Sequence, residues 1–504
     1  MNFSDFSKAS QQFNQFSPEM KEQMMKMAKA RVKEKLLKWF ATPTFVVIGI
    51  TLGAIIGALT ACFGDISDRL SAIRDANPLY FIPALALGGA AIAFVYKKWG
   101  RWTERGMDQV FAVGLNKESD FPLVAIPMAA VSTWLTQLFG GSAGREGAAM
   151  QIGSALSYNI SKKLPFENAA HIMLVTGMAA GFAGIFQAPM AATAFALEVL
   201  LVGHLELSAL LPAAAAAFTA CKVSSMLGFH KFSVDLNSVL DASGFSASIF
   251  TNEGALDGNL LLKLALMGVL FGIVGGGFAK LLGLSQNFFA KKFPNSIKRI
   301  AIMGAGLSIL LLIFFQGRYA GLGTNLLDMC FGVKADLIGN AANVMGNAAG
   351  DAVNAVGTAA GNVIGTAVGD AANVVGTAAG IGNADLIGEA AGIHGYDWII
   401  KFAVTILTLS AGFIGGVVTP LFAIGATLGI FVAGMFGMPL PLAAALGFAA
   451  VFASASNTLW APILIAGEIF GFHCLPAFFI VCTMAYMCNG GQSIYKQKKI
   501  RIKI

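Results

Sequence analysis

Long apolar runs with almost no charged residues recur along most of this 504-residue chain. Charged residues make up only 12% of the sequence, which is too little to cover the surface of a soluble protein of this length. Apolar runs of about 20 residues can span a bilayer as helices, and shorter runs suit half-helices. The runs are residues 42–63, 80–96, 260–284, 300–315, 398–413 and 477–487. We therefore predict an all-α polytopic membrane protein.

The net charge of +7 is concentrated at the two ends of the chain. Residues 1–38 carry eight Lys/Arg and four acidic residues, and residues 496–504 carry five Lys/Arg and no acidic residue. Basic residues beside membrane spans mark the cytoplasmic side of a membrane. Both termini are therefore expected in the cytoplasm. Because the basic ends adjoin membrane spans, no nucleic-acid partner is expected.

The segment from Phe139 to Gly153 places a carboxylate inside the apolar region. Clustered glycines end a helix, and the residues after Gly147 can begin a new one. Arg145 and Glu146 therefore stand at the N-terminus of a half-helix at membrane depth. A charge at the bilayer centre costs ~3 kcal/mol or more, so such a residue indicates a functional site. Because a helix N-terminus attracts anions, Glu146 is expected to compete there with a bound anion.

A second glycine-interrupted segment follows in the other half of the chain. Residues 139–156 align with residues 415–428, so that Gly153 falls on Gly425 at an offset of 272. Two halves with a broken helix at equivalent positions are typical of transporters built from inverted repeats, whose binding site lies between the repeats. The predicted divisions are a basic amphipathic cytoplasmic segment (1–40), a first repeat (41–230), a linker (231–258) and a second repeat (259–500).

Residues 334–396, within the second repeat, form a low-complexity insert rich in Gly, Ala, Asn and Val. No Lys or Arg occurs between Lys334 and Lys401, so the positive-inside rule predicts that the insert is extracytoplasmic. Its composition offers few large side chains for a core, which favours disorder or weak helices. We assign it no function.

Four segments carry the signatures of one known family. Gly144-Arg-Glu-Gly-Ala148 resembles the motif G-[KR]-E-G-P, and Gly416-Val-Val-Thr-Pro420 stands where that family has G-x-F-x-P. Residues 180–198 are similar to the helix pair after the first motif, and residues 491–495 resemble the last helix, which brings a tyrosine to the central anion site. These segments resemble the CLC family of chloride channels and anion/proton antiporters. The resemblance implies two inverted-topology repeats of membrane-spanning and half-helices, and a homodimer with one pore per subunit.

Within this family the sequence most resembles the fluoride-exporting CLC-F branch. Met107 replaces the serine of chloride-transporting members, and Val199 stands where chloride/proton antiporters carry an inner proton-transfer glutamate. The sequence also departs from the expected motifs: Val417 replaces a glutamate typical of the branch, Ala148 replaces proline, and Asn457-Thr-Leu-Trp-Ala-Pro462 differs from the N-T-P-L-A that is usual in the branch. The resemblance implies fluoride export from a bacterial cell by fluoride/proton antiport across the cell membrane. The alternative is a chloride channel or chloride/proton antiporter.

Glu146 is the predicted gate, because the ionised carboxylate occupies the place of the anion and the protonated one leaves it. The predicted anion-binding residues are Met107, Arg145, Gly147, Val417, Val418, Thr419 and Tyr495. Four of these residues have a structural alternative: Arg145 can support its loop, Thr419 can be an ordinary helix-start hydroxyl, Tyr495 can be an interfacial aromatic residue, and Met107 can be a packing residue.

Other reactive residues in the sequence lack the spacing of a site. Glu198 is either functional or only satisfies a helix end, and Glu468 is an intramembrane acid without a clear partner. The histidines and cysteines show no ligand spacing, so no metal and no cofactor are expected. The segment Gly140–Gly144 fits the serine-hydrolase pattern G-x-S-x-G, but that pattern needs a preceding strand and a His–acid pair. We therefore predict that the protein is not an enzyme.

Overall fold

The computed structural model describes residues 17–100, 103–166, 168–230, 232–234, 236, 257–313, 317–331 and 392–499. Most of the predicted linker (231–258) and most of the low-complexity insert (334–396) lie outside the described residues, as do residues 1–16.

The described chain is almost entirely helical, as the apolar runs predict. The helices are α1 (Pro18–Ala76), α2 (Pro78–Phe81), α3 (Leu85–Trp99), α4 (Met107–Gly114), α5 (Ala125–Leu138), α6 (Glu146–Ser161), α7 (Ala169–Phe186), α8 (Pro189–Glu198), α9 (Leu210–Met226), α10 (Gly258–Lys292), α11 (Ser296–Ile313), α12 (Thr324–Phe331), α13 (Asp397–Ala411), α14 (Val418–Phe436), α15 (Leu440–Ser456), α16 (Trp460–Phe470) and α17 (Leu475–Met487). Short 3-10 turns occur at Ile82–Ala84, Thr103–Arg105, Leu207–Ala209 and Phe472–Cys474. Two-residue strands, β1 (Leu201–Val202) and β2 (Lys498–Lys499), pair in parallel.

Among the described residues, seven helices are long and apolar enough to span a membrane. They are Ala41–Ala76, Pro78–Trp99, Ala169–Phe186, Leu207–Met226, Gly258–Lys292, Ser296–Ile313 and Val418–Phe436. Of these, α7 and α14 are mostly buried inside the protein, whereas α3 and α11 expose large apolar side chains such as Leu87 and Ile309. Apolar side chains on the outside of a helical bundle suit contact with lipid rather than water.

A single long helix forms the N-terminal end of the described chain. The structure has one uninterrupted helix, α1, across the predicted boundary at residues 40–41, with Pro43 inside it. Residues 18–40 are rich in Met, Lys, Glu, Ala and Leu, which are strong helix formers, so the helix continues from the polar segment into the first apolar run.

Glycines allow equivalent close helix pairs in the two halves. A Cβ atom on Gly153 of α6 would collide with the carbonyl oxygen of Gly177 of α7. In the second half, a Cβ atom on Gly425 of α14 would collide with the carbonyl oxygen of Gly447 of α15. Small residues let membrane helices approach until their backbones touch. The helices that follow the two glycine-rich motifs are therefore both packed closely on the next helix of the chain.

Candidate functional site

The two glycine-rich motifs meet at the centre of the protein. Gly144 and Gly416 form an isolated antiparallel bridge in which each amide donates to the carbonyl oxygen of the other at 2.6 Å. A Cβ atom on Gly416 would lie 2.9 Å from the amide nitrogen of Gly147, so only glycine fits there. The bridge joins the N-termini of α6 and α14, and we call this place the junction. The backbone N–H groups at two helix N-termini, together with the helix dipoles, favour an anion.

The carboxylate of Glu146 lies in the junction and is 2% exposed. One of its oxygens accepts hydrogen bonds from the Thr419 amide at 3.4 Å and from the Arg145 amide at 3.2 Å. The other oxygen accepts a hydrogen bond from the Thr419 hydroxyl. Glu146 therefore binds donors from both half-helices. Its carboxylate is the negatively charged group at the N-termini of α6 and α14.

Arg145 directs its side chain away from this carboxylate. The guanidinium pairs with Asp68 of α1 and donates to the Gly64 carbonyl oxygen at 3.2 Å. It also lies over the ring of Phe229, 5.3 Å from the ring centroid. These contacts favour the loop-supporting interpretation of Arg145, because they tie the α6 N-terminus to α1.

Two cavities reach the junction. The first, the Phe422 cavity, has a volume of about 60 Å³ and is lined in part by Arg145, Glu146, Phe186, Thr419 and Phe422. The second, the Tyr495 cavity, has a volume of about 260 Å³ and is lined in part by Met107, Gly147, Gln151, Val417 and Tyr495. Glu146 lines only the first of these two cavities, whereas the adjacent Gly147 lines the second. The Glu146 carboxylate thus lies at the boundary between them.

Tyr495 is a buried aromatic residue that lines the larger cavity. The residue is 7% exposed, and its ring packs against Phe111 and Phe195 with centroid separations of 5.3 and 5.8 Å. Its hydroxyl has no hydrogen-bond partner among the described residues. Beside the cavity, Lys496 and Asp108 form an ion pair of 2.6 Å. This pair connects the segment that carries Tyr495 to the start of α4, where Met107 lies.

Of the predicted site residues, the structure brings Glu146, Gly147, Val417, Val418 and Thr419 together at the junction, with Met107 and Tyr495 on the larger cavity. Val418 is buried and lines neither of the two cavities. The roles assigned to these residues remain predictions.

The similarity of this chain to known proteins shows its family. Residues 88–490 match the family described as voltage gated chloride channel. The chain belongs to this CLC family. The chain is also similar to the chloride/fluoride channel protein of Pseudomonas syringae pv. tomato (strain ATCC BAA-871 / DC3000), with 26% identity over 94% of this chain and 90% of the relative.

Solved structures show the same CLC fold. The chain is similar to the crystal structure of a CLC-type fluoride/proton antiporter, with 39% identity, a TM-score of 0.75, and coverage of 92% of this chain and 99% of the other. The X-ray structure of a slow cyanobacterial Cl⁻/H⁺ antiporter matches with 18% identity and a TM-score of 0.61, over 90% and 96% of the two chains, which shows the fold alone. The predicted fold class and family are confirmed. As a CLC protein, the chain is a multi-pass membrane protein that transports anions.

In this CLC chain, the acids Glu198 and Glu468 cap helices from opposite halves. Glu198, at the end of α8, accepts hydrogen bonds from the amides of Leu459, Trp460 and Ala461 at 2.5, 3.1 and 3.3 Å. Glu468, in the last turn of α16, accepts from the amides of Met190 and Ala191 at 3.0 and 2.9 Å. The expectation that Glu468 lacks a clear partner is therefore wrong, because its partners come from a distant part of the sequence. Each carboxylate thus accepts hydrogen bonds from the N-terminal amides of the helix that carries the other carboxylate.

Because Glu468 caps a helix, we expect that neutralising its carboxylate destabilises the protein. Glu468→Gln is expected to lower the free energy of unfolding by about 1–2 kcal/mol, because a neutral amide interacts more weakly with a buried helix N-terminus. The measurement is the apparent Tm of the purified protein in detergent. The exposed Glu22, which pairs with Lys26 on α1, provides the control Glu22→Gln, for which a change within about 0.5 kcal/mol is expected. Equal Tm values for the two variants would show that Glu468 is not a cap.

Ser142 of the G-x-S-x-G pattern is a buried structural residue of this CLC chain. Its hydroxyl hydrogen-bonds to the Thr405 hydroxyl at 2.8 Å, and its amide donates to the Thr408 hydroxyl at 3.2 Å. The preceding element is the helix α5 rather than the strand that a hydrolase needs. CLC proteins are transporters and not enzymes, and here Ser142 joins its loop to α13.

Proposed function

We propose that this chain exports fluoride by fluoride/proton antiport, with Glu146 as the gate. The observation that carries the proposal is the position of the Glu146 carboxylate between two helix N-termini, at the boundary of two cavities. The similarity to a CLC-type fluoride/proton antiporter over nearly the whole chain supports the choice of substrate.

Protonation of Glu146 exchanges the carboxylate for a halide. The ionised carboxylate fills the junction, where the Thr419 hydroxyl and the amides of Arg145 and Thr419 hold it. Protonation removes the negative charge and with it the attraction to the helix dipoles. The side chain then leaves, and a halide takes the vacated donors. Return of the carboxylate requires loss of the proton, so each exchange of anion for side chain moves a proton.

Fluoride binds water tightly, so its site must replace the hydration shell with several donors at once. The backbone amides of Gly147, Val417, Val418 and Thr419 can supply these donors at the starts of α6 and α14. The hydroxyl groups of Thr419 and Tyr495 add side-chain donors, and Met107 lines the path beside them. These donors carry no mobile charge and are fixed by helix geometry. We infer that Arg145, held by Asp68, raises the local potential without touching the ion.

The alternative is a CLC channel or chloride/proton antiporter that carries chloride. The observation that favours it is Val417, which lines the Tyr495 cavity in place of the glutamate expected in the fluoride branch. Without that second acid, coupling depends on Glu146 alone. The similar protein of Pseudomonas syringae, a chloride/fluoride channel protein, is consistent with passive conduction of either halide.

We further propose a homodimer with one pore per subunit and with both termini in the cytoplasm, as the family resemblance implies. The Tyr495 cavity is lined by Arg105 and by Asp108, which pairs with Lys496, and by the positive-inside rule these basic residues support an opening on the cytoplasmic face. Exposed apolar side chains on α9 and α16, including Phe218 and Trp460, provide a surface for a second copy within the membrane. The divisions 41–230 and 259–500 remain our proposed repeats.

The test is efflux from liposomes loaded with either halide and containing the purified protein. With a fluoride electrode, we expect fluoride efflux that accelerates when the outside is acidic, because protons entering the liposome drive antiport. Chloride efflux measured in parallel should be slower by at least roughly tenfold. Faster chloride than fluoride efflux would favour the alternative, and fluoride efflux without any effect of the pH gradient would favour a channel.

A further inference from the structure

Two residues that line the Tyr495 cavity each carry a buried hydrogen-bond donor without a partner among the described residues. One is the Tyr495 hydroxyl, and the other is the amide nitrogen of Gln151, a residue that is 2% exposed. Both residues line this cavity of about 260 Å³. Buried polar side-chain atoms in proteins nearly always have a hydrogen-bond partner, so unpartnered donors on one cavity call for an occupant.

The position of Gln151 on α6 relates it to the junction. Gln151 follows Gly147 by four residues, so the two lie on the same helix face one turn apart, and both line the Tyr495 cavity. An anion that leaves the amide of Gly147 therefore meets the Gln151 side chain next. Tyr495 lines the same cavity from the C-terminal segment of the chain.

The charged groups that line the Tyr495 cavity are engaged in ion pairs. Asp108 pairs with Lys496 at 2.6 Å, and Arg105 pairs with Glu118 at 2.5 Å. The charged residues at the cavity are therefore paired, and its lining residues Gln151 and Tyr495 contribute uncharged hydrogen-bond donors. Neutral donors next to the positive end of α6 suit an anion better than a cation.

We propose that Gln151 is an anion ligand, whose side-chain amide binds the halide in the Tyr495 cavity together with the Tyr495 hydroxyl. This rests on the proposed function of the chain as a halide transporter and adds a specificity-determining residue to it. Fluoride needs stronger donors than chloride to replace its water, so the contribution of Gln151 is larger for fluoride than for chloride.

The test uses substitutions of nearly constant shape in the full-length protein in liposomes. Gln151→Met removes the donor and is expected to raise the KM for fluoride roughly tenfold or more, the loss expected for one hydrogen bond to an ion, with a smaller change for chloride. Gln151→Glu replaces the donor with a negative acceptor and should raise the fluoride KM further. An unchanged fluoride KM in either variant overturns the proposal, and Gln151→Glu provides the result if Gln151→Met does not fold.

A matched control is available in Gln109. It is fully buried, both polar atoms of its side chain also lack partners among the described residues, and it does not line the Tyr495 cavity. Gln109→Met should leave the fluoride KM within about twofold of the wild-type value, because a residue that does not contact the ion has little effect on its binding. An equal rise in KM for Gln109→Met and Gln151→Met would show a general packing effect and overturn the ligand assignment.

Failure of this inference is separable from failure of the proposed function. Wild-type protein that carries chloride but not fluoride would refute fluoride export. In that case the chloride KM of Gln151→Met tests the ligand by itself: a raised value supports it, and an unchanged value overturns it.

Discussion

Replacing Glu146 with glutamine is expected to abolish proton-coupled fluoride transport while the protein stays folded. Glutamine has the shape of glutamic acid and no charge at any pH, so its presence in the junction no longer depends on protonation. Fluoride then exchanges with a neutral side chain, and no proton accompanies it. The measurement records fluoride with an electrode and protons with a pH probe on the same liposomes. The proton flux of Glu146→Gln should fall to that of protein-free liposomes.

Glu468→Gln is the matched control for this experiment. Glu468 is also a membrane-embedded carboxylate that accepts backbone N–H groups at a helix start, but it lies outside the junction and lines neither cavity. Its neutralisation should leave proton-coupled transport intact at temperatures below its lowered Tm. Proton-coupled flux that persists unchanged in Glu146→Gln would rule out the gate.

Gly416→Ala is expected to lower fluoride flux by about 100-fold. The added Cβ atom would stand 2.9 Å from the Gly147 amide nitrogen and 3.3 Å from the nearer Glu146 carboxylate oxygen. The two backbones must therefore separate, which displaces the converging amides from the anion. A shift of about 1 Å in positioned groups costs on the order of 100-fold in rate where the geometry is decisive. Initial rates of fluoride efflux, normalised to the amount of folded protein, measure this effect.

Gly277→Ala supplies a control with the same chemical change. Gly277 lies inside α10, and a Cβ atom there would meet no heavy atom within 4 Å. Alanine also has the higher helix propensity, so this variant should be at least as stable as the wild type. Similar fluoride fluxes in Gly416→Ala and Gly277→Ala would mean that the close approach of the two motifs is unimportant for transport.

Local sequence predicts the parts of this protein that depend on short segments. The apolar runs indicate the helical membrane fold, and the glycines around Glu146 and Thr419 indicate two broken helices. The equivalence of the motifs, at an offset of 272, also indicates that they belong together. The Gly144–Gly416 bridge shows the physical reason. Each motif has a short backbone segment outside the helices, and the two segments donate hydrogen bonds to each other.

Other features depend on contacts that no local pattern contains. Glu468 is an unexplained acid in the sequence, because its partners Met190 and Ala191 are more than 270 residues away. The pairing of Arg145 with Asp68 likewise requires that α1 pass beside the junction. Gln151 has an ordinary sequence context, and it becomes a candidate ligand only because it lines the Tyr495 cavity. Tertiary packing decides each of these cases.

The most direct test of the Glu146 gate is the number of protons taken up when fluoride binds. Calorimetry of fluoride binding in buffers of different ionisation enthalpy, at pH values well above the pKa of hydrofluoric acid, gives this number. If fluoride displaces the Glu146 carboxylate, binding takes up protons and tightens as the pH falls, and Glu146→Gln loses both effects. Fluoride binding to the wild-type protein with no proton uptake and with the same affinity at every pH would contradict the account.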